Sequence, residues 1–346
     1  MTEPDSGDST ARITVVGGGL AGLGLALGLR KRGISVQVLE AGTYPRHRVC
    51  GEFISGVAGH TLQTLGIGDA MDDALHLYGI VWYRGATLVR RDRLPRPALA
   101  LSRAALDARL AIKFTNAGGE LVTGRREREE DAPGRVHCHG RTPHARSNWT
   151  GLKAHATGYP LEADLELHIG PKGYCGVSRL PEGRVNICGL FHREVLGTGR
   201  GVDLLASTLE RTGLPKLVRR LTVAHWVEET FCSVSGLAYQ PPPPHPTARI
   251  GDRFGLIPPF TGNGMSLAFE SAEVAVDPLC RFARGEADWE QTKNALQQAL
   301  DHAFATRLRA ARLLHRALLH PLGQGLIARL AAQPLFPFGA LYRLTH

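Results

Sequence analysis

Six cysteines in 346 residues set the first limits. Cys50, Cys138, Cys175, Cys188, Cys232 and Cys280 include no pair at metal-ligand spacing and no disulfide framework. That excludes a zinc module and a stapled secreted scaffold, and it implies reduced thiols and no bound metal. Nothing at the start reads as a leader: Met1 to Thr10 is polar and acidic, and a cytoplasmic location is expected. No stretch suits a membrane span, because the apolar run from Ile13 to Leu29 is broken by glycines and reads as strand, turn and helix. Acidic residues are missing altogether after Asp301, while Arg307, Arg309, Arg312, Arg316, Arg329 and Arg343 follow it. The formal net charge of +9 permits contact with anionic surfaces. However, no nucleic-acid module and no interleaving of aromatic with basic residues accompanies it, so no nucleic-acid partner is expected. Hydrophobic content of 43% and charged content of 21% are ordinary for a globular protein. The length suits two domains or one elaborated α/β unit.

What is present is organised around Ile13-Thr14-Val15-Val16-Gly17-Gly18-Gly19-Leu20-Ala21-Gly22. An apolar strand runs into a glycine-rich turn, and a helix opens beyond it. Gly17 permits the tight turn, Gly19 keeps the backbone bare where a pyrophosphate would lie, and Gly22 lets helix pack on strand. Unpaired N–H groups at the helix start would face the phosphates. A second strand over Ile34–Leu39 ends at Glu40, about 20 residues on, where a carboxylate can accept hydrogen bonds from ribose hydroxyls. Strand, turn, helix, strand and acid together point to a dinucleotide site. The loop Pro45-Arg46-His47-Arg48 leaves this second strand, so Arg46 or Arg48 either reaches a phosphate or is simply solvated.

Further along, residues 57–76 have helical spacing, and Ile80–Tyr83 and Thr87–Val89 read as a hairpin around Gly85. Ser102 is a candidate N-cap for a helix from Ala104 to about Asn116, and Arg103 is either an anion contact or an exposed helix residue. Residues 124–135 carry charges of both signs and read as a solvent-facing hairpin loop. Residues 150–240 are rich in short β-like runs, which implies a second layer or domain. The run Pro241–Pro246 reads as a stiff connector. A second strand–loop–helix follows: a strand ends at Gly251-Asp252, the loop holds Pro258 and Pro259, and Gly262-Asn263-Gly264 opens a helix. An acid there can bind ribityl or ribose hydroxyls, and N–H groups at the helix start can stabilise negative charge on a reduced flavin. From about Trp289 to Leu319 a long helix or helix pair sets Leu308, Ala311, Leu314 and Leu318 on one face and Arg309, Arg312 and Arg316 on another. Such a helix can rest on a membrane. A packed helix with a solvated face is the favoured reading.

The pairing of Gly17-x-Gly19-x-x-Gly22…Glu40 with Gly251-Asp252…Pro258…Gly262-Asn263-Gly264 resembles the two-part FAD signature of a flavoprotein superfamily. Its members include para-hydroxybenzoate hydroxylase, geranylgeranyl reductase and the flavin-dependent halogenases. Pro45–Glu52, Leu101-Ser102-Arg103-x-x-Leu106-Asp107, Gly151–His155 and Gly173–Gly176 resemble further segments of it. The resemblance implies an α/β fold, α+β overall: a doubly wound FAD-binding Rossmann-like domain (residues 1–80, 99–150 and 248–285). It is interrupted by an antiparallel β-sheet substrate domain (81–98 and 151–247) and followed by a C-terminal helical segment (286–346). It also implies FAD held by Gly17, Gly19, Leu20, Ala21, Gly22, Glu40, Arg48, Arg103, Asp252, Pro259, Gly262, Asn263 and Gly264. The implied activity is FAD-dependent oxidation of a small or lipophilic substrate, of monooxygenase type. Flavin-dependent reduction of an activated C=C bond and non-catalytic FAD binding are the alternatives, and an NAD-dependent dehydrogenase would leave Asp252 without a role. The family's mid-sequence Asp-Gly falls near His139-Gly140, where the Asp is absent, so NAD(P)H as electron donor stays open. The Trp-x-Trp of tryptophan halogenases is absent too. Cys50, His155 and Tyr174 are the residues expected on the substrate side, each with a structural role as the alternative.

Overall fold

The computed structural model describes residues 11–239 and 245–346. The polar start and most of the proline run, Pro241–Pro244 included, lie outside these.

The chain begins β1 (Ile13–Val16), α1 (Leu20–Arg30), β2 (Val36–Leu39). It continues through β3 (Phe53–Ile54), α2 (Gly59–Leu65), β4 (Leu75–Arg84), β5 (Thr87–Ala100) and α3 (Arg103–Asn116). Then come β6 (Glu120–Val122), β7 (Arg135–His137), β8 (Trp149–Thr157), β9 (Leu165–Gly170), β10 (Gly173–Arg179) and β11 (Arg184–His192). Helices α4 (Gly201–Arg211) and α5 (Pro215–Leu221) lead to β12 (His225–Ser235) and β13 (Ala248–Arg249). The last elements are α6 (Gly264–Ala283), α7 (Trp289–Leu319), α8 (Pro321–Ala331) and α9 (Phe338–Thr345).

Two sheets divide the strands. The first has order β13-β7-β1-β2-β6, with every pairing parallel. Along its central strands side chains alternate, so that the half-buried Thr14 and Gln37 lie between buried apolar neighbours. Ile13, Val15 and Val38 are fully buried, beneath α1, α3 and α6. Helix α1 is buried along Leu20–Leu29 and owes this to its glycines. A Cβ at Gly28 would lie 2.9 Å from Val276 Cγ2 on α6, so the two helices are close enough that only hydrogen fits. The second sheet has order β12-β8-β11-β10-β9-β4-β5-β3 and is antiparallel except where β4 runs parallel to β9. Helices α4 and α5 cover one face of it through Val202, Leu205, Leu209 and Leu217.

Three local expectations change. The helix expected over 57–76 stops at Leu65, because Gly66 turns left-handed (φ 66°), and the chain enters β4 at Leu75. The stretch 124–135 is no hairpin: β6 pairs with β2 and β7 with β1, so it crosses over the sheet. Its acids are spent on fixed partners, Glu127 on Arg125 at 2.6 Å and Glu129 on Arg249 at 2.5 Å. The second strand is shorter than expected. β13 ends at Arg249, and Gly251 (φ 61°) opens a 3₁₀ turn that carries Asp252.

Candidate functional site

The first glycine turn lies at the carboxyl end of β1, and its three glycines are needed for three different reasons. Gly17 has φ 108°, and a Cβ there would sit 2.5 Å from the His139 backbone. A Cβ at Gly22 would sit 1.9 Å from the Gly17 carbonyl, so this glycine joins helix to strand and stands off the cavity wall. Gly19 is extended (φ −84°), and a Cβ there would meet no protein atom within 4 Å. It faces an open cavity of about 1080 Å³, at the upper end of the ~300–1,000 Å³ usual for ligand sites. Leu20 and Ala21 line the same wall.

Glu40 follows β2 and is almost fully buried at the cavity edge. One carboxylate oxygen accepts the Gly18 N–H at 2.8 Å and the other the Gly42 N–H at 2.9 Å. Tyr44 donates its hydroxyl to the Gly18 carbonyl at 2.5 Å. These bonds fix the turn from outside and leave each Glu40 oxygen a further lone pair.

Arg48 and Arg103 both line the cavity and share one counter-ion. Arg48 Nε lies 3.1 Å from Asp107 Oδ2, and Arg103 holds both oxygens of Asp107 at 3.1 Å. Arg48 also comes within 3.8 Å of Glu40. Asp107, 1% exposed on α3, was legible only as a helix residue; it sets the direction of both guanidinium groups.

Across the cavity, Asp252 has no hydrogen bond or ion pair among the described residues and opens onto the same space. Desolvation by the surrounding protein raises its carboxyl above the usual range, against the opposing pull of Arg103 and Arg141. Pro259, Gly262 and Gly264 continue this wall. Gly262 is left-handed (φ 74°), and a Cβ there would lie 2.4 Å from the Phe53 ring. Asn263 departs from expectation. Fully buried and off the wall, it gives its side-chain N–H to the Thr345 carbonyl, so its amide fastens α9 rather than facing a ligand.

Beyond Gly264 the cavity passes under the second sheet, where Leu167, Leu190, Val234 and Leu237 make an apolar end. Helix α9 closes it with Phe338, Leu341 and Tyr342. His139, at the position of the missing Asp, stands beside Gly17; burial and the neighbouring His137 lower it to about 4, so it is neutral near pH 7.

Residues 15–67 match the family model of an NAD(P)-binding Rossmann-like domain. No curated protein sequence matches the chain. Among solved structures, the flavin-dependent brominase Bmp2 superposes with a TM-score of 0.73 at 17% identity, covering 97% of this chain and 93% of that one. PqsL of Pseudomonas aeruginosa, a probable FAD-dependent monooxygenase, gives 0.71 at 16% identity, with 92% and 99% covered. A geranylgeranyl bacteriochlorophyll reductase-like protein of Thermoplasma acidophilum gives 0.74 at 18%, with 96% of each chain covered. The chain shares the fold of these three structures.

Within that fold the three residues expected on the substrate side separate. Cys50 lines the cavity, but burial raises its thiol and outweighs the opposing effect of Arg103, which leaves it protonated. Tyr174 also lines the cavity, 3% exposed, with its hydroxyl 3.5 Å from His315 Nε2. His155 is sealed behind this wall at 0% exposure and cannot touch a ligand. It hydrogen-bonds Glu52, whose other oxygen takes the Arg103 N–H at 3.0 Å and the Lys153 ammonium at 3.1 Å. Lys153 also reaches His47 Nδ1 at 3.2 Å, and His47 faces the cavity. Ring nitrogens and carboxylate of His47, Glu52 and His155 converge within 4.8 Å, as metal ligands would. The Lys153 ammonium already supplies the positive charge there. Alternation on β8 puts Lys153 and His155 on one side of the strand, a signal that pairs the two but does not name Glu52 as their partner.

Proposed function

We propose that the cavity holds FAD and that the protein is an FAD-dependent oxidoreductase, of monooxygenase type, acting on a small or lipophilic organic substrate. One observation carries this reading: a single cavity joins both glycine turns and the Asp252 carboxylate to an apolar end under the second sheet. The fit is physical. Gly19 leaves bare backbone at the start of α1, where N–H groups and the helix dipole favour a pyrophosphate. Glu40 has lone pairs for ribose hydroxyls, and Arg48 and Arg103, aimed by Asp107, add positive charge along the dinucleotide. Asp252 would accept from a ribityl hydroxyl, which gives a partner to a carboxylate that has none among the described residues. Pro259, Gly262 and Gly264 would border the isoalloxazine, with N–H groups at the start of α6 facing its pyrimidine edge.

Bound there, the flavin supplies the redox chemistry, and the protein supplies orientation and electrostatics. Leu167, Leu190 and Val234 exclude water from the far end, which suits a lipophilic substrate and protects reactive species from hydrolysis. The protonated Cys50 thiol and the Tyr174 hydroxyl are weak donors able to orient a polar substrate atom. The likeness to a reductase-like structure motivates a second reading, hydride delivery to an activated C=C bond.

The test is the visible spectrum of the purified protein with FAD, then anaerobic titration with NADH and NADPH, then admission of oxygen. Flavin absorbance with oxygen-consuming reoxidation supports the first reading. Reduced flavin that resists oxygen but is discharged by an enone favours the second. A colourless protein that takes up no FAD overturns both.

A further inference from the structure

Exposed apolar side chains gather at one end of this chain. Among the described residues nine large hydrophobic side chains are exposed, and six of them, Leu313, Leu322, Leu326, Leu330, Leu335 and Leu344, belong to α7–α9 and their connections. Leu322, Leu326 and Leu330 recur every fourth residue, so they share one face of α8, at 79%, 60% and 51% exposure. The helix behind them is well anchored. Gln324 is buried and donates to the Gly170 carbonyl at 2.9 Å, Ile327 packs against the apolar cluster that holds Leu318 and Tyr174, and Arg90 caps the carbonyls of Ala331 and Gln333. The outward leucines therefore form a fixed surface.

Its charge is one-sided. Residues 302–346 contain no Asp or Glu. Arg307 turns inward to Glu270, while Arg309, Arg316, Arg329 and Arg343 stay exposed, Arg329 beside the leucines of α8. No described helix is long and apolar enough to cross a membrane.

We propose that α8 and its flanking arginines are a docking surface for an anionic lipid bilayer, with α8 lying in the interface plane. An apolar face that carries Arg329 on its own helix, in a segment with no acid from residue 302 to 346, complements a boundary that is hydrocarbon below and negative above. A second copy of this chain fits less well, because pairing the same face with itself sets arginine against arginine. The same layer borders the cavity: Leu314 of α7 and Leu341 and Tyr342 of α9 stand on its wall. Docking therefore brings the apolar end of the cavity towards lipid. The inference does not depend on the flavin reading, since lipid and flavin binding are measured separately.

The experiment is flotation of the full chain with vesicles of phosphatidylglycerol and phosphatidylcholine, against phosphatidylcholine alone, at low and high salt. The chain floats with the anionic vesicles, and high salt weakens this. Combining Leu322→Ser, Leu326→Ser and Leu330→Ser lowers partitioning about tenfold or more, with circular dichroism and flavin absorbance unchanged. The pair Arg316→Gln and Arg329→Gln weakens only the anionic arm. Absence of flotation with any vesicle, or equal flotation of the triple variant, overturns the proposal. A dimer seen by light scattering that the triple variant abolishes, without vesicle binding, overturns it in favour of a second copy.

Discussion

Asp252 offers a perturbation whose two effects have opposite signs. Its carboxyl stands exposed at the cavity with no partner among the described residues, and desolvation by the surrounding protein raises it above the ordinary value of 3.8. The flavin-free native state therefore holds this proton more tightly than the unfolded chain does. Its stability falls as pH rises from the ordinary carboxylate range through the raised native value, but only slightly, because the side chain is exposed to the water of the cavity and its charge is screened there. Asp252→Ala removes that small cost. The side chain already faces open space, so no new void forms against packed atoms. The flavin-free variant is thus as stable as the parent or more so near neutral pH, and the difference vanishes in acid where the carboxyl is protonated in both states. Flavin affinity moves the other way. Losing a charge-assisted hydrogen bond to a ribityl hydroxyl costs about 1.5–3 kcal/mol, or roughly 10–150-fold in Kd. Denaturant melts of flavin-free protein across pH and quenching of FAD fluorescence measure the two effects. Unchanged FAD affinity in a folded variant, or a clear loss of stability without flavin, would refute the reasoning.

The two glycines of the first turn should separate binding from folding. Gly19→Val adds a side chain only to open space at a φ any residue adopts, so circular dichroism stays near wild type while flavin absorbance and FAD-dependent thermal stabilisation are lost. Gly22→Val drives a side chain into the Gly17 carbonyl and lowers stability by about 1–3 kcal/mol or more in urea melts, with or without FAD. Lys153→Met strands the buried Glu52 charge and costs about 3–5 kcal/mol, much of which Glu52→Gln in the same chain restores; additive losses in urea would contradict this. Burial alone would raise the Glu52 carboxyl, but the His155 hydrogen bond and the Lys153 ammonium outweigh it and hold it low. That stability is present above the ordinary carboxylate range and disappears as pH falls through the native value, so acid melts of Glu52→Gln are shallower than those of the parent.

The sequence by itself determined the local structure that few conformations satisfy. A glycine turn between β1 and α1, an acid at the end of β2, and a second glycine turn opening α6 follow from residue types whose backbone demands are specific. The stretch from about Trp289 to Leu319 was readable as a long helix or a helix pair, and it forms the single helix α7. What the sequence left open depended on distant partners. Arg48 and Arg103 read as solvated or anion-binding until Asp107, 59 and 4 positions away in the chain, was seen between them. Lys153 and His155 became intelligible only through Glu52, 103 positions from His155. The face of Asn263 was set by the Thr345 carbonyl of a helix 82 positions later. Residues 124–135 read as a hairpin because charge composition carries no record of which strands flank a loop. Backbone preferences are local and are written residue by residue; the partner of a buried charge is fixed by desolvation, which acts only once packing has brought the two ends of the chain together.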